Sequence, residues 1–326
     1  MNESVWKPRP LTATPDTSVH LERLADAGFE VRSTVAAGSF GVVYHAVERA
    51  VHRNVAIKLI DPRAIAAARG EYSQTEIDAL AMLRHPHIVP LFSSGVFDDG
   101  VRYFVMPWIA GPTVRQRLQR EERLPLLDAL RYGAEIADAL TALHTNGLVH
   151  RDVKPGNVMI DGRHAVLIDF GLVCHVHSEV LDDEAPPVVG TPAYMSPEQW
   201  HPGAAMDGRA DLFGLGCLVY EMLTGVSPIE ELRPEHDERS KHRWDDSNSA
   251  IIDADPYDTP SRPVMSMRMR RPDAPESLDR LLRRALRLDR DHRISSAAVF
   301  RDELEQIHAT LVAEQNKPGW LRRHFG

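Results

Sequence analysis

One pair of segments restricts the possible folds of this chain more than any other feature. The segments are His150-Arg151-Asp152-Val153-Lys154-Pro155-Gly156-Asn157 and, shortly after it, Val166-Leu167-Ile168-Asp169-Phe170-Gly171. Phosphoryl transfer needs a carboxylate near the acceptor hydroxyl and hard oxygen ligands that hold magnesium against the phosphates. Asp152, Asn157 and Asp169 supply these groups. Chance co-occurrence of both segments is negligible, so the pair predicts a phosphoryl-transfer site.

Composition sets broad limits on the class of protein. The chain has 326 residues, of which 43% are hydrophobic and 26% charged, and these values are ordinary for a folded globular protein. This length is typical of one large domain or of two lobes with short tails. The net charge of −9 argues against a polyanion such as duplex DNA as the main partner, so we expect no nucleic-acid partner.

The cysteines and the apolar runs favour a cytoplasmic location. Cys174 and Cys217 have no CxxC or CxxxH neighbours, so neither a disulfide framework nor a zinc finger is indicated. The longest apolar stretch, Leu212 to Tyr220, is too short to cross a bilayer. We therefore expect no membrane span and no targeting segment.

The hydrophobic pattern divides the chain into an α+β arrangement. Prolines among Ser and Thr predict a flexible N-terminal tail over residues 1–27. Residues 28–105, the N-lobe, contain short runs rich in Val and Ile that predict an antiparallel sheet. One helix is predicted within it, from about Ser73 to Arg84, before Pro86.

A second, mainly helical lobe follows. We place a hinge at residues 106–111 and the C-lobe at residues 112–312, with a polar surface insertion at about 230–263 and a C-terminal tail at 313–326. Helical spacing predicts the main helices at Leu126 to His144, Asp211 to Leu223, Leu278 to Leu288 and Ala297 to Val312.

Two further features of the N-lobe sequence are suited to phosphate binding. Gly38 and Gly41 lie in the turn Ala36-Ala37-Gly38-Ser39-Phe40-Gly41-Val42-Val43, where the missing Cβ atoms let the backbone approach a triphosphate. Taken alone, this turn is equally compatible with an ordinary hairpin. Lys58 directly follows the apolar run Val55 to Ile57. Its ammonium group either extends into solvent or binds an anion. Glu76, on the predicted helix, could hold it as an ion pair.

On these residues the chain resembles the eukaryotic-type (Hanks-type) serine/threonine protein kinase family, as a soluble bacterial member, over about residues 28–312. The resemblance implies a bilobal kinase fold with a five-stranded N-lobe sheet and ATP in the cleft between the lobes. It implies that Lys58 binds the α- and β-phosphates and that Glu76 pairs with Lys58. Asp152 would orient the acceptor hydroxyl or accept its proton, while Asn157 and Asp169 would hold Mg²⁺, with Mn²⁺ as an alternative.

The same resemblance assigns a nucleotide site. Its residues would be Ala36, Gly38, Ser39, Phe40, Gly41, Val43, Ala56, Lys58, Met106, Trp108, Ile109 and Met159. Met106 would be the gatekeeper, and the backbone of Trp108 and Ile109 would bind adenine. Three apolar side chains would sandwich the base: Val43, Ala56 and Met159.

The segment Gly190-Thr191-Pro192-Ala193-Tyr194-Met195-Ser196-Pro197-Glu198 is similar to the family loop that seats the acceptor residue. Lys154 and Thr191 are typical of the serine/threonine branch, and Lys154 is included among the catalytic residues. Two anchoring contacts are also implied. Glu198 would pair with Arg293, and Asp211 would hold the loop that carries His150 and Arg151.

Two positions depart from the family pattern. Ala36 replaces the first glycine of the loop, and Pro107 replaces an acidic hinge residue that can contact ribose. These departures motivate an alternative, a nucleotide-binding pseudokinase scaffold, although the catalytic lysine and carboxylates are all present. A small-molecule kinase of related fold is disfavoured because such enzymes lack the Gly190–Glu198 segment.

The sequence therefore predicts a cytoplasmic enzyme that transfers the γ-phosphoryl group of ATP to Ser/Thr hydroxyls of protein substrates. Autophosphorylation in a transient homodimer is expected. In the family, an arginine such as Arg151 binds a phosphate on the activation segment and thereby orders it. Here four carboxylates could replace that phosphate, or could simply be solvated in an exposed loop: Glu179, Asp182, Asp183 and Glu184.

Overall fold

The structure is a computed structural model, and it describes residues 17–38, 41–60, 79–169, 173–175, 191–201, 204, 206–229 and 266–316. Within these ranges the chain forms the two predicted lobes. No helix in the described ranges is both long enough and apolar enough to cross a lipid bilayer.

The N-lobe is built on a five-stranded antiparallel sheet with strand order β1-β2-β3-β5-β4. Its strands are β1 (Phe29–Gly38), β2 (Gly41–Glu48), β3 (Arg53–Ile60), β4 (Ser93–Val96) and β5 (Arg102–Pro107). Alternate residues along β2 are buried, so one face of the sheet carries the apolar core. The prediction of an antiparallel N-lobe sheet is confirmed.

A helix that the sequence analysis did not predict packs on this apolar face. Helix α1 (Thr17–Asp26) places Leu24, which is 0% exposed, in one cluster with Tyr44 and the buried residues of β3. Arg23 Nη1 lies 2.5 Å from Asp99 Oδ2, so the helix is also bound to the loop between β4 and β5. The predicted flexible tail is therefore wrong for residues 17–26.

The tail prediction fails at these residues because packing of the helix against the sheet outweighs the local composition. The prolines that suggested a tail all precede the helix, and a short helix leaves only a weak periodic signal. Gly28, with φ of +93°, makes the turn from α1 into β1 that a residue with a side chain adopts only under strain. Residues 1–16 lie outside the described ranges.

The predicted helix of the N-lobe is described only at its end. Residues 79–82 are helical, and Leu83 is buried after them. Glu76 lies outside the described residues, as do Ser39 and Phe40 of the glycine loop. Predictions on these three residues therefore stay predictions.

The C-lobe is mainly helical, as predicted. Its helices are α2 (Val114–Glu121), α3 (Leu126–Thr145), α4 (Arg209–Thr224), α5 (Glu276–Ala285) and α6 (Ala297–Gln315). Short strands lie between α3 and α4: β6 (Leu148–Val149), β7 (Val158–Asp161), β8 (His164–Leu167) and β9 (Cys174–His175). Every residue of α4 from Ala210 to Leu223 is buried, and α3 packs against both α4 and α6. This buried helix is the base on which the loops of the site are anchored.

The four predicted helices are found with shifted ends. Helix α5 ends at Ala285, before the predicted Leu288, where the Leu286 N–H donates to the Leu282 carbonyl. Helix α6 continues to Gln315, so residues 313–315 are helical and not part of a tail. The predicted insertion at 230–263 and residues 317–326 lie outside the described ranges.

Candidate active site

Asp152 and Asn157 lie at the two ends of one loop and are locked together. The loop runs from β6 into a short 3₁₀ turn, Pro155–Asn157. Asn157 Nδ2 donates to the backbone oxygen and to Oδ2 of Asp152, each at 2.8 Å. Asp152 is 9% exposed and Asn157 is 5% exposed, so both are buried. Because the amide nitrogen of Asn157 is engaged by Asp152, its carbonyl oxygen is the atom of this side chain that could hold a metal ion.

Lys154 and Thr191 complete the surroundings of the Asp152 carboxylate. Lys154 Nζ donates to Thr191 Oγ1 at 2.6 Å and lies 3.0 Å from Asp152 Oδ2. Thr191 Oγ1 is 3.4 Å from the other carboxylate oxygen. The predicted catalytic loop and the predicted acceptor-seating loop therefore meet at this carboxylate.

Asp211, near the start of α4, holds the catalytic loop through the loop backbone. Its carboxylate accepts the backbone N–H of His150 at 2.8 Å and that of Arg151 at 2.7 Å. His144 on α3 donates to the same carboxylate at 2.8 Å. Burial by itself would raise the pKa of Asp211, but the hydrogen bond and charge of His144, with the backbone bonds, hold it below its usual value. The carboxylate stays ionised and can accept all three bonds.

The backbone is strained at two places in the site. Arg151 and Asp169 have φ values of +67° and +65°, a region that residues with a Cβ rarely adopt. Such conformations persist only where the surroundings enforce them, and they cluster at functional sites. At Arg151 the two backbone bonds, to Asp211 and from Gln199 Nε2 at 2.8 Å, enforce it.

Lys58 on β3 reaches across the cleft to Asp169. Its Nζ contacts Asp169 Oδ1, and the lysine side chain is only 10% exposed. The two lobes are thus connected through two residues that the sequence analysis assigned to phosphate and metal binding.

The register of the sheet places the predicted base-binding side chains on one face. Val43 lies opposite Lys58, and Ala56 lies opposite Met106. Directly opposed residues of antiparallel strands point to the same face. Trp108 and Ile109 follow β5, and Met159 lies on β7, bridged to Thr113.

The glycine loop begins and ends on paired strands. Ala36 lies opposite Val43, and Gly38 lies opposite Gly41. A Cβ on Gly41 would lie 1.8 Å from the Leu59 carbonyl oxygen, and φ there is +139°, so only glycine fits.

The activation segment, residues 169–198, carries three hydroxyl-bearing side chains within the residues that the structure describes. None of the three is more than 5% exposed, so they are poor sites for a reversible modification: Thr191, Tyr194 and Ser196. Arg151 Nη1 donates to Cys174 Sγ at 3.7 Å. The four acidic residues proposed to replace a phosphate lie outside the described ranges.

The structure contains a polar network that the sequence analysis missed. Tyr194 Oη donates to Glu221 Oε2 at 2.5 Å, and Arg115 Nη1 donates to Glu221 Oε1 at 2.7 Å. Arg115 Nη2 also contacts Tyr194 Oη. The network fixes the predicted acceptor-seating loop to α2 and α4. The sequence did offer one indication of this network, because Glu221 lies inside the apolar run of α4 and a buried carboxylate requires polar partners.

Both the sequence and the fold of this chain are similar to those of known proteins. Residues 29–304 match the family model described as "Protein kinase domain". The chain is 30% identical over 313 residues to the serine/threonine-protein kinase pkn3 of Myxococcus xanthus, covering 90% of this chain and 52% of pkn3. It is 33% identical over 300 residues to the serine/threonine-protein kinase PksC of Streptomyces coelicolor, covering 89% of this chain and 50% of PksC.

Among solved structures, the fold is similar to the PknI kinase domain of Mycobacterium tuberculosis. The TM-score is 0.62 at 27% identity, over 86% of this chain and 96% of the PknI chain. This chain spans about half the length of pkn3 and of PksC.

Proposed function

The chain belongs to the protein kinase family, in its serine/threonine branch, and from that premise we propose that it transfers the γ-phosphoryl group of ATP to Ser/Thr hydroxyls of protein substrates. The arrangement around Asp152 carries the proposal. A buried carboxylate is held by Asn157, contacted by the Lys154 ammonium and faced by the Thr191 hydroxyl. Phosphoryl transfer depends mainly on positioning and electrostatics, and this arrangement supplies both.

Each residue has a proposed role in the transfer. The Asp152 carboxylate orients the acceptor hydroxyl and accepts its proton as the acceptor oxygen bonds to the γ-phosphorus and the bond from that phosphorus to the departing ADP breaks. The Lys154 ammonium offsets the charge on the phosphoryl group while it moves. Thr191 keeps Lys154 in place and marks where the acceptor segment docks. Lys58 binds the α- and β-phosphates, with Asp169 beside it and with Glu76 as its proposed partner on the N-lobe helix.

The donor set around the phosphates is suited to Mg²⁺, with Mn²⁺ as an alternative. The Asp169 carboxylate and the Asn157 carbonyl are hard oxygen ligands, which these ions prefer. When bound, the ion neutralises phosphate charge. ATP is the proposed phosphoryl donor, and the proposed base site is the sheet face that carries Val43, Ala56 and Met106, completed by Met159 and by the backbone of Trp108 and Ile109.

The acceptors we propose are Ser/Thr residues of proteins, including a second copy of this chain in a transient homodimer. The buried network of Tyr194, Glu221 and Arg115 supports this choice, because it fixes the loop that the family resemblance assigns to seating the acceptor residue. We also propose that the catalytic domain begins at α1, at residue 17, since Leu24 completes the N-lobe core.

The experiment that tests the activity compares wild-type protein with Asp152→Asn. Labelled ATP and Mg²⁺ are supplied with a general protein acceptor, and the initial rate of transfer is measured. We expect Asp152→Asn to lower the rate about 10²-fold or more. Asp161→Asn, an exposed Asp on β7, is the matched control and should keep the wild-type rate. Equal rates for wild type and Asp152→Asn, or no transfer by wild type, would refute the proposal.

A further inference from the structure

The imidazole of His45 stacks on the indole of Trp108. The ring centroids are 4.1 Å apart and the rings are inclined by 22°. His45 belongs to β2, in the roof of the proposed nucleotide site, whereas Trp108 directly follows β5 in the hinge. The stack therefore joins the roof to the hinge.

The strand register places His45 beside the proposed adenine-binding residues. His45 lies opposite Ala56, and Ala56 lies opposite Met106 on the next strand. The neighbours of His45 along β2, Tyr44 and Ala46, are fully buried on the other face of the sheet. His45 thus shares the cleft face with Ala56 and Met106.

The stack begins where the backbone ladder ends. The last pair between β3 and β5 is Val55 with Pro107, and proline has no N–H to donate. Trp108 is the next residue, so ladder bonds do not hold it. Its indole is held to the roof by the imidazole of His45 instead.

The His45 ring is itself fixed in orientation. Its Nε2 donates to Oδ1 of Asn54, at the start of β3, at 2.9 Å. A ring with one bonded edge loses less rotational freedom when it stacks, because part of that freedom has already been lost.

We propose that His45 is a positioning residue of the nucleotide site, which holds Trp108 so that the backbone of Trp108 and Ile109 is set to bind adenine. This inference rests on the proposed function and deepens it. Since His45 acts through the hinge, it affects the binding of the adenine base. It does not touch the groups that transfer the phosphoryl group.

The test measures ATP binding and steady-state kinetics for wild type, His45→Ala, His45→Phe and the control His308→Ala, on the C-lobe helix α6. We expect His45→Ala to raise the Kd and the KM for ATP about 2- to 10-fold, as the loss of one aromatic stack predicts, with kcat within about twofold of wild type. His45→Phe keeps an aromatic ring over Trp108 and should restore most of the affinity. His308→Ala should match wild type.

Two outcomes overturn the inference while the proposed function stands: wild type binds and transfers, yet His45→Ala leaves Kd and KM unchanged, or His45→Phe binds as weakly as His45→Ala. A lower kcat at unchanged KM also contradicts it. Wild-type protein that neither binds nor uses ATP would instead refute the proposed function, and the inference with it. A thermal unfolding curve for each variant checks that its ATP binding and kinetics are measured on folded protein.

Discussion

Arg293 and Glu198 form a two-bonded ion pair that fixes the end of the proposed acceptor-seating loop to the helical core. The two N–O distances are 2.5 and 2.7 Å, and the side chains are 0% and 10% exposed. Arg293 also donates to the backbone carbonyls of Arg209, Arg287 and Leu288. The sequence resemblance implied this pair. The structure shows that the pair is buried.

Breaking this pair should cost much stability. Arg293→Gln leaves the Glu198 carboxylate buried without its charge partner, and we expect the free energy of unfolding to fall by about 3–5 kcal/mol. Arg280→Gln removes a pair with Glu276 in which both side chains are more than 60% exposed, and it should cost less than about 1 kcal/mol. Urea denaturation measures both. Equal losses would contradict the assignment.

The Thr191 hydroxyl should matter for both catalysis and stability. Thr191→Val keeps the shape of the side chain but removes the acceptor of Lys154, so a buried ammonium loses a hydrogen bond. We expect a loss of about 1–3 kcal/mol and a clear fall in the transfer rate. Thr191→Ser keeps the hydroxyl and should retain most of both. If the valine variant transfers as fast as the serine variant, the hydroxyl has no role.

The pH dependence of stability should report on His150. Burial lowers the pKa of this histidine, although the carboxylates of Asp211, Asp152 and Asp169 oppose the shift. The folded state therefore keeps His150 neutral below about pH 6.5, where the unfolded chain binds a proton. The contribution to stability is complete above that pH. It is lost as pH falls toward the folded pKa, by at most about 1.4 kcal/mol per pH unit.

His150→Phe removes the titrating group and should flatten this slope, even if its stability at neutral pH is lower. Urea unfolding at several pH values between about 7.5 and about 5.5 measures the slope. An unchanged slope would show that other groups dominate the pH dependence.

The unexpected helix α1 should be part of the folded catalytic domain. Leu24→Ala creates a cavity under the helix and should lower the free energy of unfolding by about 2–5 kcal/mol. Leu21→Ala, on the same helix at 37% exposure, should cost much less. Chemical denaturation compares the two variants. Similar, small effects would mean that α1 contributes little to the N-lobe.

The parts of the site that were predictable are those encoded by short, contiguous motifs. Asp152 and Asn157 lie in one segment, so their proximity follows from local spacing. Lys58 and Asp169 come from distant segments, and the resemblance assigned both to the phosphate and metal site. Glu198 and Arg293 could be paired only because a family pattern was recognised, since nothing local connects them.

Other features could not be predicted because they depend on tertiary packing. In the sequence, His144 is one polar residue of an amphipathic helix, and only the folded structure places it beside Asp211. The stack of His45 on Trp108 depends on strand register, which a single sequence does not specify. Helix α1 was missed because its few buried residues gain their role only when they pack against the apolar face of the sheet.

The most direct test of the central claim identifies the amino acid that receives phosphate. Wild-type protein is stripped by phosphatase, incubated with ATP and Mg²⁺, alone and with a protein acceptor, and its phosphoamino acids are then determined. We predict phosphoserine or phosphothreonine in the wild-type reaction and neither with Asp152→Asn. Phosphotyrosine as the product, or ATP binding without any transferred phosphate, as a pseudokinase scaffold would give, would contradict the account.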